Sequence, residues 1–555
     1  MTDKMAEKLR QAYREVVTDF KTQSGIPVKE VYTPNDISDI DLQKELGLPG
    51  QYPFTRGHHP LMYRGKLWNV REISGVSTPE AHNRRCKFLL EQGESALHWE
   101  LDGPTQYGIE PDQPYAEGQV GLVGVTLHSV RDVDVLCRDL PLDELSLSCN
   151  CYYPDVWHAY LLVAKRRGYE ITRLRGVGGA INYYGPAVFS SRLDWLCHKG
   201  GFSTTARWGN DFCEYLCRHF PSWNIWSASV FDIREGGADA FQEIAYALSM
   251  RDEFVREMKR RGVDPAVSAP KLSPVLASGW DFFEDIAKMR AARRIWAKTL
   301  TEKWGITDPK ALILRFHVNV SGHNYTYQQP LVNIARGAIG ALAAVLGGTM
   351  GIQVPSYDEA WATPTEESVK LAIRTQQVIR YETGVPRVAD PLGGSYYVEK
   401  LTKEVEEKIR WEYEKIEEMG GWIAALENGH IHNQMKKNLI DAQAKIESGE
   451  RVVVGVNRFV DPEEKFAPKI YSPDKRELQE YMEDYVEFKK HRNYKRLHEA
   501  LEALRRGAKK PEVNLVPLAF EALEADATFP EIIGVLRMVD GLHYDLAGER
   551  EYEIG

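Results

Sequence analysis

The sequence has no C-x-x-C pair, and its seven cysteines are an odd number. That speaks against a closed disulfide framework and against a thioredoxin-type redox motif. Cys149 and Cys151 flank a single asparagine, a poor zinc spacing, so free thiols in a reducing cytoplasm are expected. No stretch approaches the ~20 unbroken apolar residues of a membrane helix. Residues 1–14 are charged where a secretion signal carries its apolar core. There is no basic excess: 70 Lys and Arg face 80 Asp and Glu, a formal charge of -10, without long basic runs. A nucleic-acid partner is therefore not expected. A Walker loop, a serine-hydrolase elbow and H-E-x-x-H are also missing. What remains, 555 residues with 43% hydrophobic and 27% charged side chains, is an ordinary globular composition. The length suits roughly two to four domains, or one very large barrel with appendages.

Residues 1–50 read as a polar arm, with a helix over 3–20 and then an irregular Pro-, Asp- and Gly-rich stretch. From about 70 to 360 short apolar runs alternate with longer amphipathic segments. The runs are 95–101, 121–127, 145–149, either 169–174 or 179–183, 224–231, 312–320 and 351–354. The helical segments are 154–167, 209–219, 238–261, 281–304 and 328–346. So many strand–helix units in one region predict an α/β fold, a (β/α)8 TIM barrel with parallel strands. Residues 365–440 read as helical, 470–510 as a charged helix, and 510–555 as a further alternating stretch that could form a small terminal module. The expected division is an N-terminal arm (1–50, a subunit contact), the barrel (51–440) and a C-terminal helical linker and extension (441–555).

Strand interiors of such barrels are usually bulky and branched. Here small polar residues recur at alternate positions: Ser146 and Ser148, Ser227 and Ser229, Asn319 and Ser321, with Thr126 and Ser129 nearby. Period 2 puts each pair on one face. Two readings follow: an open, polar barrel axis that admits a long thin ligand, or residues that face helices and hydrogen-bond locally. Polar groups also gather where strands should end: Glu100, Asp102, Gln106, His128, Asn182, Asp232, Arg234, Glu235, His317, Asn319 and Glu359. That end builds the active site in a (β/α)8 barrel. Taken alone, His317 also fits a hydrogen-bonded core histidine. Cys197, Cys213 and Cys217 fit packing roles, and nothing near His58-His59 completes a metal site.

Longer motifs go further. Tyr52-Pro53-Phe54-Thr55-Arg56-Gly57 through Trp68 and Arg71, Ser77-Thr78-Pro79-Glu80, Leu101-Asp102-Gly103-Pro104-Thr105, Arg234-Glu235-Gly236-Gly237-Ala238, Ala269-Pro270-Lys271-Leu272-Ser273, Ser356-Tyr357-Asp358-Glu359-Ala360 and Asp390-Pro391 stand in order over residues 50–460. Together they resemble the adenosylcobalamin-dependent acyl-CoA mutases of the methylmalonyl-CoA mutase type. The resemblance implies a barrel threaded along its axis by the pantetheine arm of coenzyme A. It also implies a radical 1,2-rearrangement begun by Co–C cleavage, with the cofactor supplying the hard chemistry. The family's cobalamin domain carries D-x-H-x-x-G, and Asp540-Gly541-Leu542-His543 has the wrong spacing. The chain is therefore expected to be the large subunit of a split mutase. Its partner would be a small cobalamin-binding subunit that ligates cobalt, in a heterotetramer of two large and two small subunits.

Carried over by position, Lys66, Arg71, Lys271 and Ser273 fall where the family contacts coenzyme A. Asn182 replaces a glutamine near the thioester, and Arg192, followed by a three-residue insertion, aligns with the arginine that pairs with a substrate carboxylate. Glu235 and Glu359 match carboxylates that hold the adenosyl group. His317 and Asn319, the latter replacing a glutamine, face substrate or cobalamin. The departures concern the acyl end. A tyrosine over the substrate is Ile73, a histidine beside the thioester oxygen is Asp232, an alanine-like position is Glu100, and the serine before it is His98. Trp99, Trp195 and Trp226 either line an enlarged pocket or pack in the core. An aspartate donates a hydrogen bond only when protonated. Arg192 and the wider pocket lead to a bulky, aryl-substituted malonyl-CoA/succinyl-CoA type thioester as the expected substrate. The alternatives are 2-hydroxyisobutyryl-CoA, isobutyryl-CoA or methylmalonyl-CoA, and a catalytically degenerate scaffold subunit.

Overall fold

The computed structural model describes residues 20–179, 197–198, 201–225 and 229–546, with 548 and 550. The expected helix at 3–20 lies almost wholly outside them. The strands are β1 (Asn69–Val70), β2 (Ile73–Ser74), β3 (Leu97–Glu100), β4 (Ser146–Asn150), β5 (Arg175–Val177), β6 (Cys197–His198), β7 (Gly201–Phe202), β8 (Trp223–Asn224), β9 (Val275–Ser278), β10 (His317–Val320) and β11 (Gly351–Gln353). The pair β6–β7 is a small antiparallel ladder. The rest form two parallel sheets, ordered β2-β3-β4-β5-β8 and β1-β11-β10-β9. At one edge the sheets share the extended segment 69–74. At the other, Ile225 N donates to Lys271 O at 2.8 Å, and Ser229 bridges Val275 in parallel. With β1 and β2 as halves of one strand, eight parallel strands close a ring, which is the (β/α)8 barrel.

Helices cover the ring and end where their sequences dictate. Helix Pro79–Gln92 starts with proline behind Thr78, whose hydroxyl accepts from Ala81 N, and stops at Gly93 in the left-handed region. Helix Phe282–Trp304 is capped by Asp281 and stopped by Gly305 in the same way. Helix Val332–Leu346 lies so close to β10 that a Cβ on Gly340 would come within 2.6 Å of Val320.

The two faces of the strands differ in kind. Val70, Leu97, Trp99, Leu147, Cys149, Leu276, Val318, Val320 and Ile352 all belong to the main apolar core beneath the helices. The alternate residues point to the axis and are mostly polar or small: Asn69, Arg71, His98, Glu100, Ser146, Ser148, Asn150, Asn224, Ala277, His317, Asn319, Gly351 and Gln353, with Ile73, Val177 and Val275 as apolar exceptions. His98, Glu100, Ser146, Asn150 and Asn224 remain partly solvent-exposed. The open polar axis is thus the reading the strands support for Ser146, Ser148 and Asn319. Thr126 and Ser129 instead bond locally, to His128 and Asp132, and Ser227 lies outside the described residues.

Several expected elements differ. Residues 121–127 form a loop with one bridge, Val125 to Leu101. Gly121 and Gly124 there have φ of 64° and 136°, which no strand uses. Residues 171–173 are a 3-10 turn, and the strand follows at β5. Within 224–231 the strand is short, and helix Val230–Glu235 begins at once. The charged helix is two, Lys475–Lys490 and Tyr494–Ala508. The stretch after 510 is helical, Val516–Glu524 and Phe529–Val539. These last helices pack on Asp155–Arg166 and Thr204–His219, and their Leu523, Ile532 and Leu536 join the barrel's own core. No helix among the described residues is long and apolar enough to cross a membrane.

Candidate active site

The end of the barrel where the strands finish is lined by carboxylates. Glu100, the last residue of β3, accepts from Gln106 Nε2 at 2.9 Å and lies 3.4 Å from Asn150 Nδ2 and from His98 Nε2. The His98 ring is itself fixed, Nδ1 lying 2.8 Å from Ser148 Oγ. Register brings Ile73 of β2 beside His98. Glu100 is therefore held in one orientation with oxygen facing the channel; its neighbour across the ladder is Asn150, and the apolar Ile73 lies beside His98, two residues earlier on β3.

Asp232 stands in the first turn of helix Val230–Glu235. Burial, with the charges of Glu235 and Glu100 adding to it, pushes its carboxyl up to about 7, against a hydrogen bond with Ser229 that lowers it. Near neutral pH a large share of Asp232 is thus a protonated acid, able to donate. Glu235 accepts from Ser321 Oγ at 2.8 Å and His323 N at 2.9 Å. Burial raises its carboxyl too. Glu359 faces it across Gly322: a Cβ there would meet Glu359 Oε1 at 3.2 Å and Glu235 Oε1 at 3.9 Å. Glu359 is open to water at the rim, yet protein around it and the charges of Glu235 and Asp358 push it up to about 8. Two carboxylates over a bare glycine make a cradle rich in acceptors, suited to hydroxyl donors.

Midway along the axis, Gly351 leaves room for the His317 ring, since a Cβ would come within 2.6 Å of its Nδ1. His317 is held neutral by burial and by the positive charge of Arg71. His317 Nε2, Asn319 Oδ1 and Arg71 Nε are buried without a hydrogen-bond partner in the described structure. Orphaned polar atoms aimed into a channel fit a ligand that completes them. Arg71 lies among Glu72 and Glu94, and burial lowers its guanidinium to about 10.

The opposite end, where strands begin, is basic. Lys66 is exposed there. Lys271 precedes β9, but its ammonium is engaged by the carbonyls of Phe220, Pro221 (3.0 Å) and Trp223 (3.1 Å). Ser273 is buried beside it. Arg315 precedes β10 and donates to Pro270 O at 3.2 Å. His58 is kept neutral by burial near Arg293 and Arg315, its value lowered to about 3, and no cluster of metal-ligating side chains occurs among the described residues.

The structure thus groups Ile73, Glu100, Asp232, Glu235 and Glu359 at one end, Arg71, His317 and Asn319 along the axis, and Lys66, Lys271 and Ser273 at the other end. Asn182, Arg192, Trp195 and Trp226 lie outside the described residues. Trp99 does not line the channel: it is fully buried on the helix side, edge-on to Tyr160. Sequence reasoning passed over Asn150, Tyr107 and Tyr152, which stand at the same end as Glu100. The readable signal was the aromatic pair Tyr152-Tyr153 directly after a strand that alternates serines.

Three relatives set this geometry in context. The family model for methylmalonyl-CoA mutase matches residues 21–542. The chain is 35% identical over 527 residues to the 2-hydroxyisobutanoyl-CoA mutase large subunit of Aquincola tertiaricarbonis, covering 94% of this chain and 92% of that one. It is 34% identical over 525 residues to the mitochondrial methylmalonyl-CoA mutase of Homo sapiens (94% and 68%), and 33% identical over 522 residues to the methylmalonyl-CoA mutase of Rhizobium meliloti (94% and 72%). A family match over nearly the whole length, on a barrel with an open polar axis, settles the class: the chain belongs to the methylmalonyl-CoA mutase family of acyl-CoA mutases, which are isomerases.

Proposed function

We propose that this chain is the large subunit of an adenosylcobalamin-dependent carbon-skeleton mutase, and that the acyl group of its coenzyme A thioester carries a hydrogen-bond donor in place of a free carboxylate. The carrying observation is Glu100, an oriented carboxylate at the acyl end of the channel beside Asp232. A malonyl-type carboxylate would meet like charge there, whereas a hydroxyl or ammonium would find an acceptor. The relative named 2-hydroxyisobutanoyl-CoA mutase large subunit supports that class and, by its name, a small-subunit partner. The aryl-substituted malonyl or succinyl thioester has no such support from the relatives, and its carboxylate partner Arg192 falls outside the described residues. It stays as the competitor in the substrate panel.

The residues present suit adenosylcobalamin. Glu235 and Glu359 offer acceptors to ribose hydroxyls at the strand-finish end, and Asn319 Oδ1 offers another further along the axis. When bound, the cofactor supplies the radical chemistry of the rearrangement. The chain's own residues do the rest. The channel holds the thioester arm and excludes bulk water. The basic end meets the coenzyme A phosphates. Asp232, protonated, donates toward the thioester carbonyl, and Glu100 fixes the acyl substituent.

The test is turnover by the chain with its small subunit and adenosylcobalamin on 2-hydroxyisobutyryl-, isobutyryl-, methylmalonyl- and benzylmalonyl-CoA. The hydroxylated thioester should be the best of the four. Glu100→Gln should lower its kcat/KM by about 10–100-fold, the worth of one charge-assisted hydrogen bond, and should leave isobutyryl-CoA nearly unchanged. Methylmalonyl-CoA or benzylmalonyl-CoA as best substrate would refute the donor-bearing acyl group. Binding of acyl-CoA without isomer formation from any probe would point to the scaffold reading.

A further inference from the structure

Beyond Glu100 the channel meets two phenols that the family resemblance gives no role. Tyr152 follows Asn150 by two residues, extending the spacing Ser146–Ser148–Asn150 past the end of β4. Tyr107 closes the short helix Gly103–Tyr107 next to Gln106, the residue that orients Glu100. The two rings meet edge to face, with centroids 5.5 Å apart and planes at 68°. Such pairs hold each other in place. Tyr107 is 38% exposed, and Tyr152 is half-buried. Burial raises the Tyr152 phenol, and a hydrogen bond with Tyr107 and the negative charges of Asp232 and Glu100 raise it further. Tyr152 thus lies within the electrostatic reach of both carboxylates at the acyl end and stays a neutral phenol. It presents a flat apolar ring with one donor to whatever occupies that end. Among the described residues, the axis-facing strand positions nearest to it are Ile73, His98, Glu100, Ser148 and Asn150, none of which supplies comparable bulk.

We propose that Tyr152, braced by Tyr107, is the acyl-selecting wall of this mutase, and that its ring sets how much bulk the acyl group has beyond the Glu100 contact. This rests on the acyl-CoA reading of the channel. Tyr152 and Tyr107 act on selection and not on the coenzyme A arm, which is bound at the far end. Truncating the wall should therefore change which thioester is preferred and leave coenzyme A itself unaffected.

The experiment measures dissociation constants by calorimetry on the full chain with its small subunit. Four ligands are used: coenzyme A, isobutyryl-CoA, 2-hydroxyisobutyryl-CoA and phenylacetyl-CoA. In Tyr152→Ala the affinity ratio of phenylacetyl-CoA to isobutyryl-CoA should rise by about tenfold or more, the effect of one aromatic wall. The affinity for coenzyme A should stay within about twofold. Tyr107→Ala should shift the ratio in the same direction and less. Tyr152→Leu, which keeps apolar bulk, carries the test if the alanine variant fails to fold, with an intermediate shift expected. An unchanged ratio in either Tyr152 variant overturns the proposal. So does an equal loss for all four ligands, which would mark Tyr152 as a packing residue. A wild-type protein that binds acyl-CoAs no better than coenzyme A would instead sink the acyl-CoA reading beneath it, before any variant is compared.

Discussion

The two ends of the barrel carry opposite charge. Where strands begin stand Lys66, Arg175, Lys271 and Arg315; where they finish stand Glu100, Asp232, Glu235 and Glu359. The overall charge of -10 conceals this division. Its lesson is directional. A ligand with a polyanionic tail enters the channel with that tail at the basic end, and its reacting group arrives among carboxylates. The strands' finishing end is also where the following loops can build a site. The two ends differ in a second way. Cations at the beginning are partly engaged by backbone carbonyls and serve the fold, whereas at the finish Asp232, Glu235 and Glu359 are shifted upward by burial and by neighbouring carboxylates.

The largest expected effect tests the structural share of the basic end. Lys271→Met removes the ammonium that three carbonyls at 220, 221 and 223 share, and leaves those of Phe220 and Trp223 buried without it. Stability should fall by about 3 kcal/mol, read as a lower denaturation midpoint at unchanged m. If Lys271 served only the ligand, the midpoint would not move and only coenzyme A affinity would suffer.

A smaller effect tests the acidic end. Asp232 is raised to about 7 in the folded chain against an ordinary carboxyl near 4 when unfolded. Below pH ~4 both states hold the proton and the residue adds no pH dependence. As pH rises from ~4 toward ~7 the unfolded chain alone releases it, so folded stability falls, and the loss is complete once the folded group has ionised. Asp232→Asn should abolish that slope. The activity of the wild type should fall on the alkaline side with an apparent value near 7, because the protonated acid is the donor. A rate flat between pH 6 and 8 would deprive Asp232 of that role.

How far the sequence carried these distinctions depends on residue type. Alternating serines in β4 and the pair Asn319–Ser321 exposed the polar axis, because a barrel filled by aliphatic side chains would not place them there. The strand 69–74 was hidden by the same property: Asn69, Arg71 and Glu72 give it no apolar run to notice. The four-residue β9 was hidden by brevity and by Pro270 and Pro274 before it. Residues 121–127 looked like a strand by hydropathy, but two left-handed glycines bend them into a loop. In the site, the carboxylates could be placed by motif. The orientation of Glu100 depends on Gln106, His98 and Asn150, three partners on two strands and a short helix, and no linear pattern encodes that. The carbonyl acceptors around Lys271 and the Tyr107–Tyr152 contact are likewise products of folding, invisible until the chain is closed.

The smallest effect separates the two kinds of cation at the basic end. Lys66 is exposed and its ammonium has no partner among the described residues, so Lys66→Ala should leave the denaturation midpoint unchanged. A rim charge acts on a polyanion through a screened field. The association rate of an acyl-CoA should therefore drop by about two- to fivefold at low salt, with the difference from wild type vanishing near 0.5 M salt, where the Debye length is about 4 Å. The opposite change at the acidic end, Glu359→Gln, should leave that salt dependence untouched, because the phosphates never reach it. If Glu359→Gln altered the salt response as strongly as Lys66→Ala, the tail would not be confined to the strand-start end, and the orientation assigned to the ligand would have to be reversed.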